Sequence, residues 1–241
     1  MSDSANDELV LTRGEGHAVL TLNRPGKRNA LSFGMRRGVA AALATLAADD
    51  AVAAVVVTGA PPDFCAGMDV GRFGGDAANR REIVEASTAL FAALAAFPKP
   101  LVAAVEGRAL GGGLGLVLAC DIRIAAADAV FAMPEVKFDA AGGFAALRSA
   151  VGDGPARSFA LSARSFGAEE AYRLGMLAET VAPGQALARA QVVAAELARL
   201  PRRGLLLQTE IIRATAGRTL AEGVAYEHEV FRRVVLGDAK T

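Results

Sequence analysis

The chain has 241 residues, 53% of them hydrophobic and 22% charged, with 26 Gly, 9 Pro and no Trp. That composition excludes collagen and disorder and leaves a globular chain long enough for a full core. Lys and Arg together number 26 and so do Asp and Glu, so no net field draws the chain to nucleic acid or anionic lipid, and a small ligand is the expected partner. Cys65 and Cys120 are too few for a disulfide framework and lack metal-ligand spacing, so both read as small buried residues of a reducing compartment. No metal is expected.

The opening MSDSANDELV is acidic and polar, with neither signal nor transit character. Apolar runs such as 114–120 fall well short of the ~20 residues of a membrane helix. A cytoplasmic protein is expected. Alternation over 8–11 and 17–22, separated by Arg13-Gly14-Glu15-Gly16, predicts a hairpin. The breaker-rich, cationic loop 23–29 follows, and Ser32 is placed to cap an Ala-rich helix reaching to about residue 48. The β-branched run 52–57 reads as a buried strand stopped by Thr58-Gly59. Residues 61–79, with Gly67, Gly71, Gly74 and Gly75, form a connection long enough to be functional.

A helix over about 81–97 is expected to end at Pro98-Lys99-Pro100, before a strand at 101–105, a Gly-rich turn, a short apolar helix, and strands at 121–126 and 129–133. The class is α/β. Past residue 145 the pattern is almost wholly helical, with a carboxyl-terminal helical region. Strand, glycine turn and helix occur in that order twice, around Gly67 and around Gly112. Three consecutive glycines, Gly111-Gly112-Gly113, between a strand and a helix let bare N–H groups approach a ligand, and no GKS, GKT or dinucleotide register accompanies them. Tight helix packing is the plain alternative. If the two turns converge, their paired donors suit an oxyanion, where one donor is worth ~3–4 kcal/mol.

The strings NRPGKRNALS, VVVTGAPPDFCAGMDV, KPLVAAVEGRALGGGLGLVLACDIRIAAADAVFAMPEV and RSFGAEEAYRLGMLAETV, in this order over about residues 8–185, resemble the crotonase superfamily, the enoyl-CoA hydratases and isomerases. The resemblance implies a crotonase-like ββα superhelix core over 1–185 with an acyl-CoA site, and a helical oligomerisation region over 186–241 that builds a homotrimer or dimer of trimers. Coenzyme A enters as part of the substrate, with no permanently bound cofactor. It further implies that the thioester oxygen lies between the N–H groups of Met68, in Ala66-Gly67-Met68-Asp69, and Gly112, with Gly111 beside it. Arg24, Lys27 and Arg28 are implied at the coenzyme A phosphates, against the plain reading of a solvated loop. Asp69 reads more simply as a capping residue.

Family hydratases carry two glutamates. The first position is Gly115 here and the second is Glu135, at the family's spacing. Hydration divides work on one water between two carboxylates, whereas moving a double bond from C3 to C2 needs a single group that takes the C2 proton and returns it at C4. Isomerase is therefore preferred over hydratase, and a non-catalytic acyl-CoA-binding homologue is a third reading. The loop VKFDAAGGFAALR departs from the family pattern in being shorter and lacking a proline. It makes Asp139 a candidate replacement acid, against the commoner fate of a solvated aspartate. A glutamate in this role needs a pKa raised by apolar surroundings. His17 and His228 read as structural, since no nucleophile elbow accompanies them.

Overall fold

A computed structural model describes residues 8–69 and 76–237. The hairpin forms as expected: β1 (Leu9–Arg13) and β2 (His17–Leu22) pair antiparallel, Leu9 opposite Leu22. Ser32 caps α1 (Phe33–Ala48), its hydroxyl accepting from Met35 N at 3.0 Å. Such a cap is worth ~1 kcal/mol. β3 (Ala54–Gly59) starts two residues later than its apolar run, and α2 (Ala77–Ala96) starts earlier than expected because Asp76 accepts from Asn79 N. Gly71, Gly74 and Gly75 lie outside the described residues.

β4 (Leu101–Val105), β5 (Arg108–Leu110), α3 (Gly112–Ala119), β6 (Ile122–Ala126) and β7 (Val130–Ala132) follow. After α4 (Phe144–Val151) and α5 (Asp153–Ser162) the helical expectation needs correction. β8 (Ser165–Gly167) precedes α6 (Ala168–Arg173), and β9 (Glu179–Val181) follows it. Strands of three residues leave too little alternation to read, and backbone pairing places them. The chain finishes with α7 (Ala186–Ala198), α8 (Arg202–Thr215) and α9 (Leu220–Leu236).

Six strands make one sheet in the order β1-β2-β3-β4-β6-β9, parallel beyond the β1–β2 pair. Both faces are covered, which is why β4 and residues 54–57 of β3 are apolar rather than alternating, and the buried Thr58 donates its hydroxyl to Ala104 O at 2.9 Å. Val55 and Val57 face the larger core with α1, α2 and α3, while Ala54 and Val56 face Ala186, Ala190 and Ala194 of α7. The alanine face lets α7 lie close, so this helix is a layer of the core. Strands β5, β7 and β8 form a second, smaller sheet, with Leu110 beside Ala132.

Lys99 is buried, its Nζ donating to Leu46 O at 2.6 Å and Asp49 O at 2.7 Å, which closes the carboxyl end of α1. Helices α8 and α9 bury little beyond Thr209 and Val230. They are fastened by ion pairs: Arg213 binds both oxygens of Asp121 at 2.5 and 2.9 Å, Arg202 meets Asp50 at 2.7 Å, and Glu210 accepts from Tyr226 and Arg233.

Candidate active site

The two glycine turns come together through backbone bonds. Cys65 N donates to Arg108 O and Leu110 N to Cys65 O, both at 2.9 Å, so the exit of β3 runs alongside β5. A Cβ on Gly113 would stand 2.2 Å from Cys65 O, so only glycine permits this approach. Gly67 takes φ +90, and a Cβ there would lie 2.6 Å from Leu110 O. The nitrogen of Gly112 would be 3.4 Å from that same point, and a Cβ on Gly112 would lie 3.8 Å from Met68 N. The two amides are therefore neighbours. Among the described residues neither Met68 N–H nor Gly112 N–H has a hydrogen-bond acceptor, whereas Leu31 N, Ala66 N, Leu110 N and Gly111 N are all used.

Glu135 reaches the turn by register. Gly111 N donates to Ala132 O at 2.9 Å, continuing the β5–β7 pairing, and the chain then turns at Pro134 into a short 3-10 helix, Glu135–Phe138. A Cβ on Gly111 would come within 2.9 Å of Glu135 Oε1. Glu135 Oε2 is buried without a hydrogen-bond partner. Burial pushes this carboxyl above the ordinary glutamate value, and a hydrogen bond from its own backbone N–H pulls the other way. One half-buried carboxylate with a buried, unpartnered oxygen thus borders a turn with two amide donors unused among the described residues. Such a group can exchange a proton with a carbon whose electrons drain into an oxygen held by those amides.

Gly115, one turn along α3, contributes no side chain, and the ring of Phe91 lies over it. Asp139 is exposed: its backbone N–H donates to Glu135 O and closes the 3-10 turn, while its side chain makes no hydrogen bond or ion pair to Glu135 among the described residues. Asp69 lies 3.4 Å from Arg24. Arg24 is half-buried and occupied, meeting Glu8 at 2.8 Å and Ala30 O at 2.7 Å, so it braces the loop. Lys27 and Arg28 are exposed, and Arg28 stands 3.9 Å from Asp63.

Two supports carry no mark of their role in the sequence. Buried Asn29 donates from Nδ2 to Ala60 O and Asp63 O at 2.8 and 2.6 Å, and buried Asp63 accepts from Arg108 N at 3.0 Å. Asn29 lies within the NRPGKRNALS string, and that membership is the one signal that could have found it. Both cysteines are buried thiols, pushed up to about 12 by burial. A cavity of about 850 Å³ lies elsewhere, between the end of α2, α8 and α9, and none of Met68, Gly112 or Glu135 lines it.

The family profile described as enoyl-CoA hydratase/isomerase matches residues 12–239. The chain belongs to this family. It is 33% identical over 239 residues to the protein named "Probable enoyl-CoA hydratase echA8" of Mycobacterium leprae, covering 96% of this chain and 91% of that one. Among solved structures it superposes on DspI of Pseudomonas aeruginosa with a TM-score of 0.90 and 34% identity, covering 99% of this chain and 92% of that one. It also superposes on an enoyl-CoA hydratase from Bacillus anthracis with a TM-score of 0.90 and 27% identity, covering 97% and 92%. The expected crotonase fold and the expected enzyme family are both borne out. No helix among the described residues of this hydratase/isomerase family member is long and apolar enough to cross a membrane.

Proposed function

We propose that this enzyme moves the double bond of a 3-enoyl-CoA to the 2 position. The observation carrying the reading is the solitary carboxylate: Glu135 borders the paired amides with one oxygen unpartnered, while the position one turn along α3 is Gly115. In this reading the thioester oxygen accepts from Met68 N–H and Gly112 N–H. Glu135 takes a proton from C2, the electrons shift into the thioester as a dienolate, and the protonated Glu135 returns the proton at C4. Ala66, Gly67, Asp69, Gly111 and Gly115 frame the acyl end. The exposed Lys27 and Arg28 stand at the mouth, where coenzyme A phosphates enter as part of the substrate, whereas Arg24 acts through the loop it braces.

Hydration of a 2-enoyl-CoA is the second reading, favoured by the names that relatives carry. It needs a water held at C3, with Glu135 acting alone or Asp139 brought in by loop movement. In a non-catalytic binding subunit, Glu135→Gln would leave turnover untouched. Supplying 3-enoyl-CoA and 2-enoyl-CoA separately to the purified enzyme decides: isomerisation of the first is expected, and robust hydration of the second without isomerisation of the first overturns the proposal. We place the enzyme in the cytoplasm as a homotrimer or dimer of trimers. The exposed apolar line Leu220, Val224, Phe231 and Val235 on α9 supports self-association, and light scattering of the eluted protein measures it.

A further inference from the structure

A lone carboxylate beside an activated alkene can either shuttle a carbon-bound proton or activate a water, and what touches the carbons decides which. Gly111 and Gly115 stand four residues apart at the start of α3, on the side that stays partly accessible while Gly113, Leu114, Leu116 and Val117 are buried. Two different side chains occupy the space that their missing Cβ atoms leave. Glu135 Oε1 lies at 2.9 Å from the Gly111 position, and Phe91 Cζ and Cε1 lie at 3.0 and 3.1 Å from the Gly115 position. Gly115 N donates to Gly111 O at 2.9 Å, so the ring and the acid flank the same first turn of α3.

Phe91 is not a core residue. The packed face of α2 is Ala86, Leu90 and Leu94, whereas Phe91 is 37% exposed and stands two turns beyond Val84, which is 63% exposed. The tip of the ring, Cζ and Cε1, meets bare backbone at Gly115, and the residue keeps 37% of its surface exposed. A ring offers no hydrogen bond, so a water at that spot lacks the polar partners that hold it.

We propose that Phe91 is a specificity-determining residue: its ring, seated on Gly115, denies water a place beside Glu135 and gives the acyl carbons beyond the reacting centre an apolar wall. This deepens the isomerase reading and rests on it. Isomerisation needs no co-reactant. Hydration consumes one water: Glu135 removes a water proton, the oxygen bonds to C3, the alkene pair moves toward the thioester, and the same proton ends on C2. Both outcomes use the same acid and amides, so admitting water alone shifts the product.

The test compares wild type, Phe91→Ala, Phe91→Leu and Gly115→Ala, each as the full chain, with trans-3-hexenoyl-CoA and trans-2-hexenoyl-CoA as probes and mass spectrometry of the products. Phe91→Ala is expected to shift the partition between isomerised thioester and 3-hydroxyhexanoyl-CoA toward the hydroxy product about tenfold, with a raised KM. Gly115→Ala, which displaces the ring without removing it, shifts the partition the same way, and Phe91→Leu restores most of the wild-type ratio. An unchanged partition in Phe91→Ala and Gly115→Ala, with wild type isomerising normally, overturns the role of Phe91 alone. If Phe91→Ala fails to fold, Gly115→Ala decides by the same ratio. A wild type that hydrates and does not isomerise sinks both readings together.

Discussion

The glycine turns and the α8–α9 pair are attached to the rest of the fold by different kinds of bond. The turns are held by main-chain bonds, Cys65 to Arg108 and Leu110, and Gly111 to Ala132. The terminal helices are held by side-chain ion pairs: Asp121 and Asp50 anchor α8 to the body, and Glu210 on α8 anchors α9. A backbone-built site tolerates side-chain changes and fails when backbone spacing changes. A side-chain-built attachment does the reverse, and it weakens with salt.

The largest expected effect probes the one side chain at the turns that does chemistry. Glu135→Gln should lower kcat about 10²–10⁴-fold while leaving the melting temperature at or slightly above wild type, since a charge with one buried, unpartnered oxygen is removed. Gly113→Ala tests the backbone spacing itself. With its new Cβ 2.2 Å from Cys65 O, it should cost about 1–3 kcal/mol in denaturant unfolding and depress activity with it. Asp121→Ala should cost about 2 kcal/mol, read by the same titration, because Leu101 N and the Arg213 guanidinium both lose their acceptor. Here kcat should hold, and a matching loss of kcat would show the two regions coupled. The smallest effect is Met68→Leu, expected to leave kcat within about twofold because the donor is main chain. A pH profile adds to the contrast: the raised pKa of Glu135 places the rise of kcat/KM above the ordinary glutamate range, and that limb should vanish in Glu135→Gln.

What could be read from the sequence follows the same division. β3 and β4 announce themselves through runs such as Val55-Val56-Val57, and Ser32 through its capping position. β8 and β9 do not, because three residues carry no usable period and their partners β7 and β6 lie far back in the chain. Glu135 and the glycine turns were legible through resemblance. The occupant of the Gly115 seat was not, since Phe91 belongs to another helix and its contact with α3 is a matter of packing. In the sequence Arg24 reads as one charge in a cationic loop. Its partners Glu8 and Asp69 come from distant segments, and only the fold brings them to it.

The order in which the sheet is assembled bears on how the protein is made. Its far edge, β9, and the alanine face that roofs it, α7, are the last core pieces to leave the ribosome. Until they emerge, Val56, Val102 and Ile124 present an uncovered apolar surface and β6 an unpaired edge. Chains stalled before residue 181 should therefore be sticky and protease-sensitive, and chaperones should hold them longest at that stage of synthesis.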